Sequence, residues 1–345
     1  MTRYSPALVL AGFLFASAAY GAGVGLNPGG ISFPDGTFQS TAALPPLPPG
    51  MAWVATSGGD YTSPVDAMND LSAWCTLVNN AVPPGASCTL LIAPGSYDLG
   101  TDQLVMHADV DIVGMGVEST NLFGYAVSSV WNETVALIRG ASRATLRNLS
   151  IYNGPLDTSN VYKYSVAIYN AGYDFHVDHV SILTTGFDQV IGIANDGVDA
   201  SYANLDIVIS GNGAPGSAAN LCSGIQVLGA GKVLVDYAKV IVSGCDADNT
   251  AIQNNGGNLR LVNVDASAYC TGASCAYGVW NSSVAGGIIT ILDSQIRAAY
   301  RSLNIYSASD RIINTQLSGP VNDPYPAPSN QCRGTYDDDL AKVDC

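Results

Sequence analysis

The sequence predicts an all-β chain wound as a single-stranded parallel β-helix, a solenoid, with an N-terminal capping α-helix. Three observations predict it. A strand-and-bend pattern recurs at intervals of roughly 20 to 33 residues, a polar residue stands at the same place in each bend, and no helical periodicity appears beyond Gln103.

The chain opens with Met1-Thr-Arg3-Tyr-Ser, an apolar run from Pro6 to Ala19, and small residues through Ala22. This order predicts a secretory signal peptide over residues 1–22 and a secreted or cell-envelope location. The apolar run is shorter than the ~20 residues a bilayer-spanning helix needs, so no membrane span is expected. Residues 23–50 read as a leader and Pro-rich linker: Pro34-Asp35-Gly36 is turn chemistry between Phe33 and Phe38, and Leu44-Pro-Pro-Leu-Pro-Pro-Gly50 is a stiff extended spacer. Residues 51–345 form the predicted β-helix domain.

Ser63 as N-cap and Pro64 at the first helical position start the capping helix. Val65, Met68, Leu71, Trp74, Cys75 and Val78 then follow at helical spacing, which predicts a helix from Pro64 to near Asn80. The next element, Cys88 to Tyr97, is a short buried strand broken at Pro94-Gly95, and a Cys75–Cys88 bond would staple the helix to it.

The coils then align on one strand and bend. Leu146-Arg-Asn-Leu149-Ser-Ile151, Val177-Asp-His-Val180-Ser-Ile182 and Tyr202-Ala-Asn-Leu205-Asp-Ile207 share a register of apolar, any, polar, apolar, any, apolar. The units beginning at Val235, Leu261, Ile291 and Ile312 follow it. The polar bend position is held by Asn148, His179, Asn204, Tyr237, Asn263, Asp293 and Asn314, an asparagine ladder with substitutions. A sharp turn between two buried strands needs a residue that tolerates a left-handed backbone and can hydrogen-bond within its own stack.

A second strand lies about ten residues earlier in each unit: Ala167-Ile-Tyr-Asn170, Gly192-Ile-Ala-Asn195, Gly224-Ile-Gln-Val227, Ala251-Ile-Gln-Asn254, Gly278-Val-Trp-Asn281 and Asn304-Ile-Tyr-Ser307. Stacking the coils at about 4.8 Å pairs each strand with its equivalent one turn on. Cys222 and Cys245 are nearly one coil apart and should stack and bond.

The formal charge of −15, from 13 Lys and Arg against 28 Asp and Glu, removes the cationic attraction that drives binding to nucleic acid or to anionic membrane. The eight cysteines, Cys75, Cys88, Cys222, Cys245, Cys270, Cys275, Cys332 and Cys345, are an even number in a chain expected to be exported, which predicts four disulfides. A zinc site would want paired CxxC spacings, which are absent.

With the Leu91-Ile-Ala-Pro-Gly-Ser-Tyr97 strand, the Asn-centred coils from Asn148 to Asn314 and the closing Cys332–Cys345 segment in view, the chain resembles the right-handed parallel β-helix of pectin-lyase-like proteins. Within that class it looks most like exported bacterial β-helix proteins of unknown function. The likeness covers about residues 52 to 345. This fold hosts lyases, hydrolases, esterases, epimerases and inert fibres alike, so it implies an architecture more than an activity.

No catalytic constellation emerges. The Trp-Ile-Asp-His segment of pectate lyases is echoed only by Phe175-His-Val-Asp178-His179, where His179 falls on the bend column and no arginine-rich segment follows. The aspartate trio of polygalacturonases has no counterpart, and Asp337-Asp338-Asp339 sits between two cysteines. Gly186-Phe-Asp188-Gln189 is a loose shadow of an esterase element. Catalytic and metal residues are therefore none, and no cofactor is expected, although Ca²⁺ is a candidate should outward acids among Asp174, Asp178, Asp199, Asp206 and Asp236 come together. The outward second-strand residues Tyr169, Gln226, Gln253, Trp280 and Tyr306, in a chain with 18 tyrosines, suit sugar rings. The sequence thus points to a non-catalytic exported β-helix that binds polysaccharide, cell-surface glycan or another surface through an exposed sheet face. The alternatives are a diverged polysaccharide lyase or glycoside hydrolase and a purely structural fibre or spacer.

Overall fold

The computed structural model describes residues 25–27, 30–32, 38–39, 47–77, 82–83, 86–154, 164–186, 188–211, 221–270, 275–282, 287–305, 310–322, 331–333 and 335. The chain divides into two units, Met1–Leu47 and Pro48–Cys345. The first holds three short antiparallel strands, Gly25–Asn27, Gly30–Ser32 and Phe38–Gln39, with Leu26 opposite Ile31 and Ser32 opposite Phe38.

The second unit is a right-handed parallel β-helix. Its strands form one ten-stranded and one sixteen-stranded sheet. In the larger sheet the strands Phe175–Gly186, Ala200–Gly211 and Lys232–Ser243 pair in parallel with their equivalents one coil on, so backbone donors and acceptors are satisfied between coils. The inner column Leu146, Val177, Tyr202, Val235, Leu261, Ile291 and Ile312 runs unbroken through that register, with each side chain at most 1% exposed.

The polar residue of every bend sits in the left-handed region, with φ from 48° at Asp293 to 58° at Asn148, and Tyr237 among them at 50°. Each of these residues lies between paired neighbours, so the seven form a line along one edge and split the long strands into two flat walls. Their side chains do not form a continuous amide stack. Asn314 Nδ2 donates to Asp293 at 3.1 Å within the column, whereas Asn204 and Asn263 donate to Asp178 and Asp236, the residues just ahead of the bend in the preceding coil, at 2.8 and 3.4 Å. The bend is chosen for its backbone, and a neighbouring carboxylate is the stronger acceptor.

A second, buried asparagine line follows the other wall: Asn170 Nδ2 donates to Asn195 Oδ1 at 2.7 Å, and Asn254 Nδ2 to Asn281 Oδ1 at 2.9 Å. Val227 interrupts it between Asn195 and Asn254.

The N-terminal helix is shorter than the spacing predicts. It spans Pro64–Asn69, with Ser63 Oγ accepting from Asp66 N at 3.3 Å, and a second turn covers Leu71–Trp74. Asp70 leaves helical geometry at φ −102°, ψ 30°, as expected where Asn69-Asp70 competes with the helix for backbone hydrogen bonds. Cys75 is extended and bonded to Cys88, Cα to Cα 5.8 Å. Ala67 and Met68 are buried in the same core as the coils. A further departure from the all-strand expectation is a 3₁₀ turn at Glu133–Val135.

Among the described residues three disulfides are present, Cys75–Cys88, Cys222–Cys245 and Cys270–Cys275. Cys345, and with it the expected closing loop from Cys332, lies outside the described residues.

Candidate functional site

The ten-stranded sheet presents two parallel columns of side chains away from the core. One runs Val166, Ile191, Ser223, Thr250, Tyr277 and Arg301; the other runs Tyr169, Ala194, Gln226, Gln253, Trp280 and Asn304. The inward aliphatics Ile168, Ile193, Ile225, Ile252, Val279 and Leu303, all fully buried, fix which residues face out.

The face changes character along the axis. At its N-terminal end Trp131 packs edge-on against Tyr164, centroids 5.2 Å apart, and against Tyr169 at 6.2 Å. Strand Val127–Ser128 pairs antiparallel with Tyr164 and Ser165 and carries this cover. Tyr169, expected as an outward ligand contact, is consequently only 6% exposed, and its hydroxyl donates to Asp196 Oδ2 at 2.6 Å. Burial, and then the bond to Asp196, push its phenol well above the ordinary range. Sequence reasoning missed Trp131 because it lies in an excursion with no repeat.

The centre is polar. Gln226 Nε2 donates to Gln253 Oε1 at 3.1 Å, Ser223 Oγ donates to the same oxygen at 3.3 Å, and Gln253 Nε2 donates to Asn255 Oδ1 at 3.4 Å. These links use one N–H of each amide and leave Gln226 Oε1 buried with no hydrogen-bond partner among the described residues. A cleft of about 130 Å³ opens here, lined by Gln189, Ser223, Gln226, Asp248, Gln253 and Trp280 among others. Burial pushes the Asp248 carboxyl above the usual carboxylate range.

The C-terminal end is aromatic. Tyr277 and Trp280 lie 5.0 Å apart, Tyr277 meets Tyr300 edge-on at 5.5 Å, and the Arg301 guanidinium sits 4.7 Å over the Tyr300 ring while donating to Asn304 at 3.1 Å. Asn304, rather than the expected Tyr306, stands beside Trp280; Tyr306 lies outside the described residues. Strands alternate with period two, so a two-residue shift keeps an aliphatic inward, Leu303 in place of Ile305, and the apolar pattern cannot tell the two registers apart.

The acids named as Ca²⁺ candidates bring together one pair, Asp174 and Asp199 on adjacent coils, with Asp174 N donating to the Asp199 carbonyl at 2.9 Å. Asp178 and Asp236 share a column but are separated by Ala203, and Asp206 lies between Ser181 and Lys239. Among the described residues no three His, Cys, Asp or Glu side chains are grouped as a metal site would require. Asp178 instead accepts from His179 Nδ1 at 2.9 Å and from Asn204; partial burial works against its ionisation, but these bonds outweigh it and hold its carboxyl below the usual range. A polar groove of about 420 Å³ follows the C-terminal bends, and its side chains largely satisfy one another, as where Gln295 Nε2 donates to Gln316 at 2.7 Å.

No protein-family model and no curated relative matches the chain. Among solved structures it is similar to DFA-IIIase from Arthrobacter chlorophenolicus in complex with GF2, with 12% identity and a TM-score of 0.52 over 84% of this chain and 80% of that one. A pectin methylesterase in complex with a hexasaccharide matches with 14% identity and a TM-score of 0.46 over 85% and 90% of the two chains. The pectin methylesterase from Aspergillus niger matches with 13% identity and a TM-score of 0.43 over 87% and 93%. The first of these likenesses shows the parallel β-helix fold and no activity.

Proposed function

We propose that this chain is an exported, non-catalytic β-helix protein that holds a glycan on the outward face of its ten-stranded sheet. The observation that carries the reading is the juxtaposition, on consecutive coils, of the linked Gln226–Gln253 amides with the Tyr277–Trp280 pair. Amides suit sugar hydroxyls and aromatic rings suit the apolar faces of pyranoses. Ligand pockets commonly enclose about 300–1,000 Å³; a cleft of about 130 Å³ takes one edge of a ring and leaves the rest of the chain on the sheet. The non-catalytic part rests on the cleft's carboxyl content: Asp248 alone among its described lining residues, where glycoside hydrolysis ordinarily takes a pair. Export rests on the Met1–Ala22 pattern and on three disulfides.

The test is a polysaccharide array, with and without Ca²⁺, run beside absorbance assays for unsaturated uronates and for new reducing ends. Retention without product, abolished by Trp280→Ala and kept by Leu183→Ala on another wall, is the expected result. Product formation overturns the non-catalytic reading, and an array with no retention leaves the structural-spacer alternative.

A further inference from the structure

The central cleft has a polarity of its own. Gln226 Oε1 is a buried acceptor with no partner among the described residues, Gln253 Oε1 already accepts from Gln226 and Ser223, and Gln253 Nε2 is engaged by Asn255. The amide chain therefore spends one N–H of each glutamine on its own links and leaves the Gln226 oxygen as an unused acceptor. Asp248 adds a carboxyl to the same lining, and none of the described lining residues is Lys or Arg. On this face Arg301 is held over Tyr300 and bonded to Asn304, two coils from Thr250 and three from Ser223, and Arg139 at the opposite end is paired with Glu133 at 2.6 Å. An unsatisfied buried acceptor selects a donor strongly, because a ligand lacking one leaves it desolvated and bare.

From this arrangement we infer that the cleft selects uncharged sugar residues over uronates, Gln226 Oε1 accepting from a ring or hydroxymethyl hydroxyl while Asp248 repels a carboxylate in its place. The inference rests on the glycan reading above. A C6 hydroxymethyl group supplies a donor where a uronate supplies two acceptors and a negative charge, so the two differ at the atoms to which this cleft is sensitive. The burial that raises the Asp248 carboxyl also weakens solvent screening of such a repulsion.

Calorimetric titration at low ionic strength with neutral oligosaccharides and their C6-oxidised counterparts, matched in linkage and length, tests the inference. The intact chain should bind a neutral member at least about ten-fold more tightly than its oxidised partner, a ratio that one uncompensated like-charge contact is large enough to produce. Asp248→Asn should shrink the ratio, and Gln226→Leu should weaken the neutral member about ten-fold by removing the acceptor. Thermal unfolding of each variant confirms that it is folded. Equal or tighter binding of the oxidised member, or a ratio unmoved in Asp248→Asn, overturns the inference while leaving glycan binding in place. Binding of neither member overturns both readings.

Discussion

The Tyr202 hydroxyl donates to Asn195 Oδ1 at 2.8 Å inside the solenoid, and Asn170 Nδ2 donates to that same oxygen at 2.7 Å. Tyr202 is among the largest fully buried side chains, and Asn195 is fully buried beside it. One acceptor thus satisfies two donors from different coils. Tyr202→Phe removes a donor and leaves Asn195 still bonded, so it should cost only about 1 kcal/mol. Asn195→Leu strands both donors and should cost roughly 2–4 kcal/mol. Urea unfolding of the two variants checks the order; a Tyr202→Phe loss equal to that of Asn195→Leu would contradict it.

Burial pushes the Tyr202 phenol far above its ordinary value, as it does for Tyr169, and Tyr61 is raised to about 12 by burial and by its bond to Asp70. A phenol that keeps its proton more tightly when folded contributes stability that is complete below the unfolded value of about 10. That contribution is lost as pH rises through the folded value, because unfolding then releases the proton. The thermal midpoint should therefore change little from neutral pH to about pH 9 and fall steeply above about pH 10. Tyr202→Phe, starting from a lower midpoint, should show a shallower alkaline fall.

Where the chain repeats, its structure was legible. The bend positions could be aligned because Val177, Val180 and Ile182 recur as Tyr202, Leu205 and Ile207 one coil on, and a buried aliphatic at Ile225 and Ile252 forces Gln226 and Gln253 outward. Where a feature occurs once, it was not. Trp131, which covers Tyr169, belongs to an excursion without a counterpart in other coils. The shift that puts Asn304 beside Trp280 preserves the period of two. The unpartnered acceptor on Gln226 depends on the direction of an amide chain spanning two coils, which no residue pattern encodes.

Tyr237 tests how far register overrides local preference. It occupies the left-handed bend at φ 50°, between Asn204 and Asn263 in the stacked coils, and is 62% exposed. A bulky residue there is strained by about 1–2 kcal/mol, whereas asparagine tolerates the conformation. Its neighbours Val235, Ala238 and Val240, all buried, hold the strand in register regardless. Tyr237→Asn should raise stability by about 1 kcal/mol, and the converse Asn204→Tyr should lower it by a similar amount. A destabilised Tyr237→Asn would mean that the exposed ring makes contacts worth more than the strain.

The Cys222–Cys245 bond joins stability to the proposed binding face. It closes a separation of 23 residues between adjacent coils, and Cys222 itself lines the central cleft. The bond sits directly over Gly211, where a Cβ would come within 2.5 Å of Cys245 Sγ and 2.9 Å of Cys222 Sγ, so it fills space that no side chain from that coil can take. Loop-closure entropy for such a separation gives about 3 kcal/mol. Replacing both cysteines with alanine should therefore lower unfolding stability by about that amount. It should also weaken glycan retention while the variant is still folded, because the wall beneath Ser223 and Gln226 is no longer tied to the next coil. Denaturant unfolding and array retention measured on the same preparation separate the two effects; retention at the level of the intact chain would show that the cleft keeps its shape without the bond.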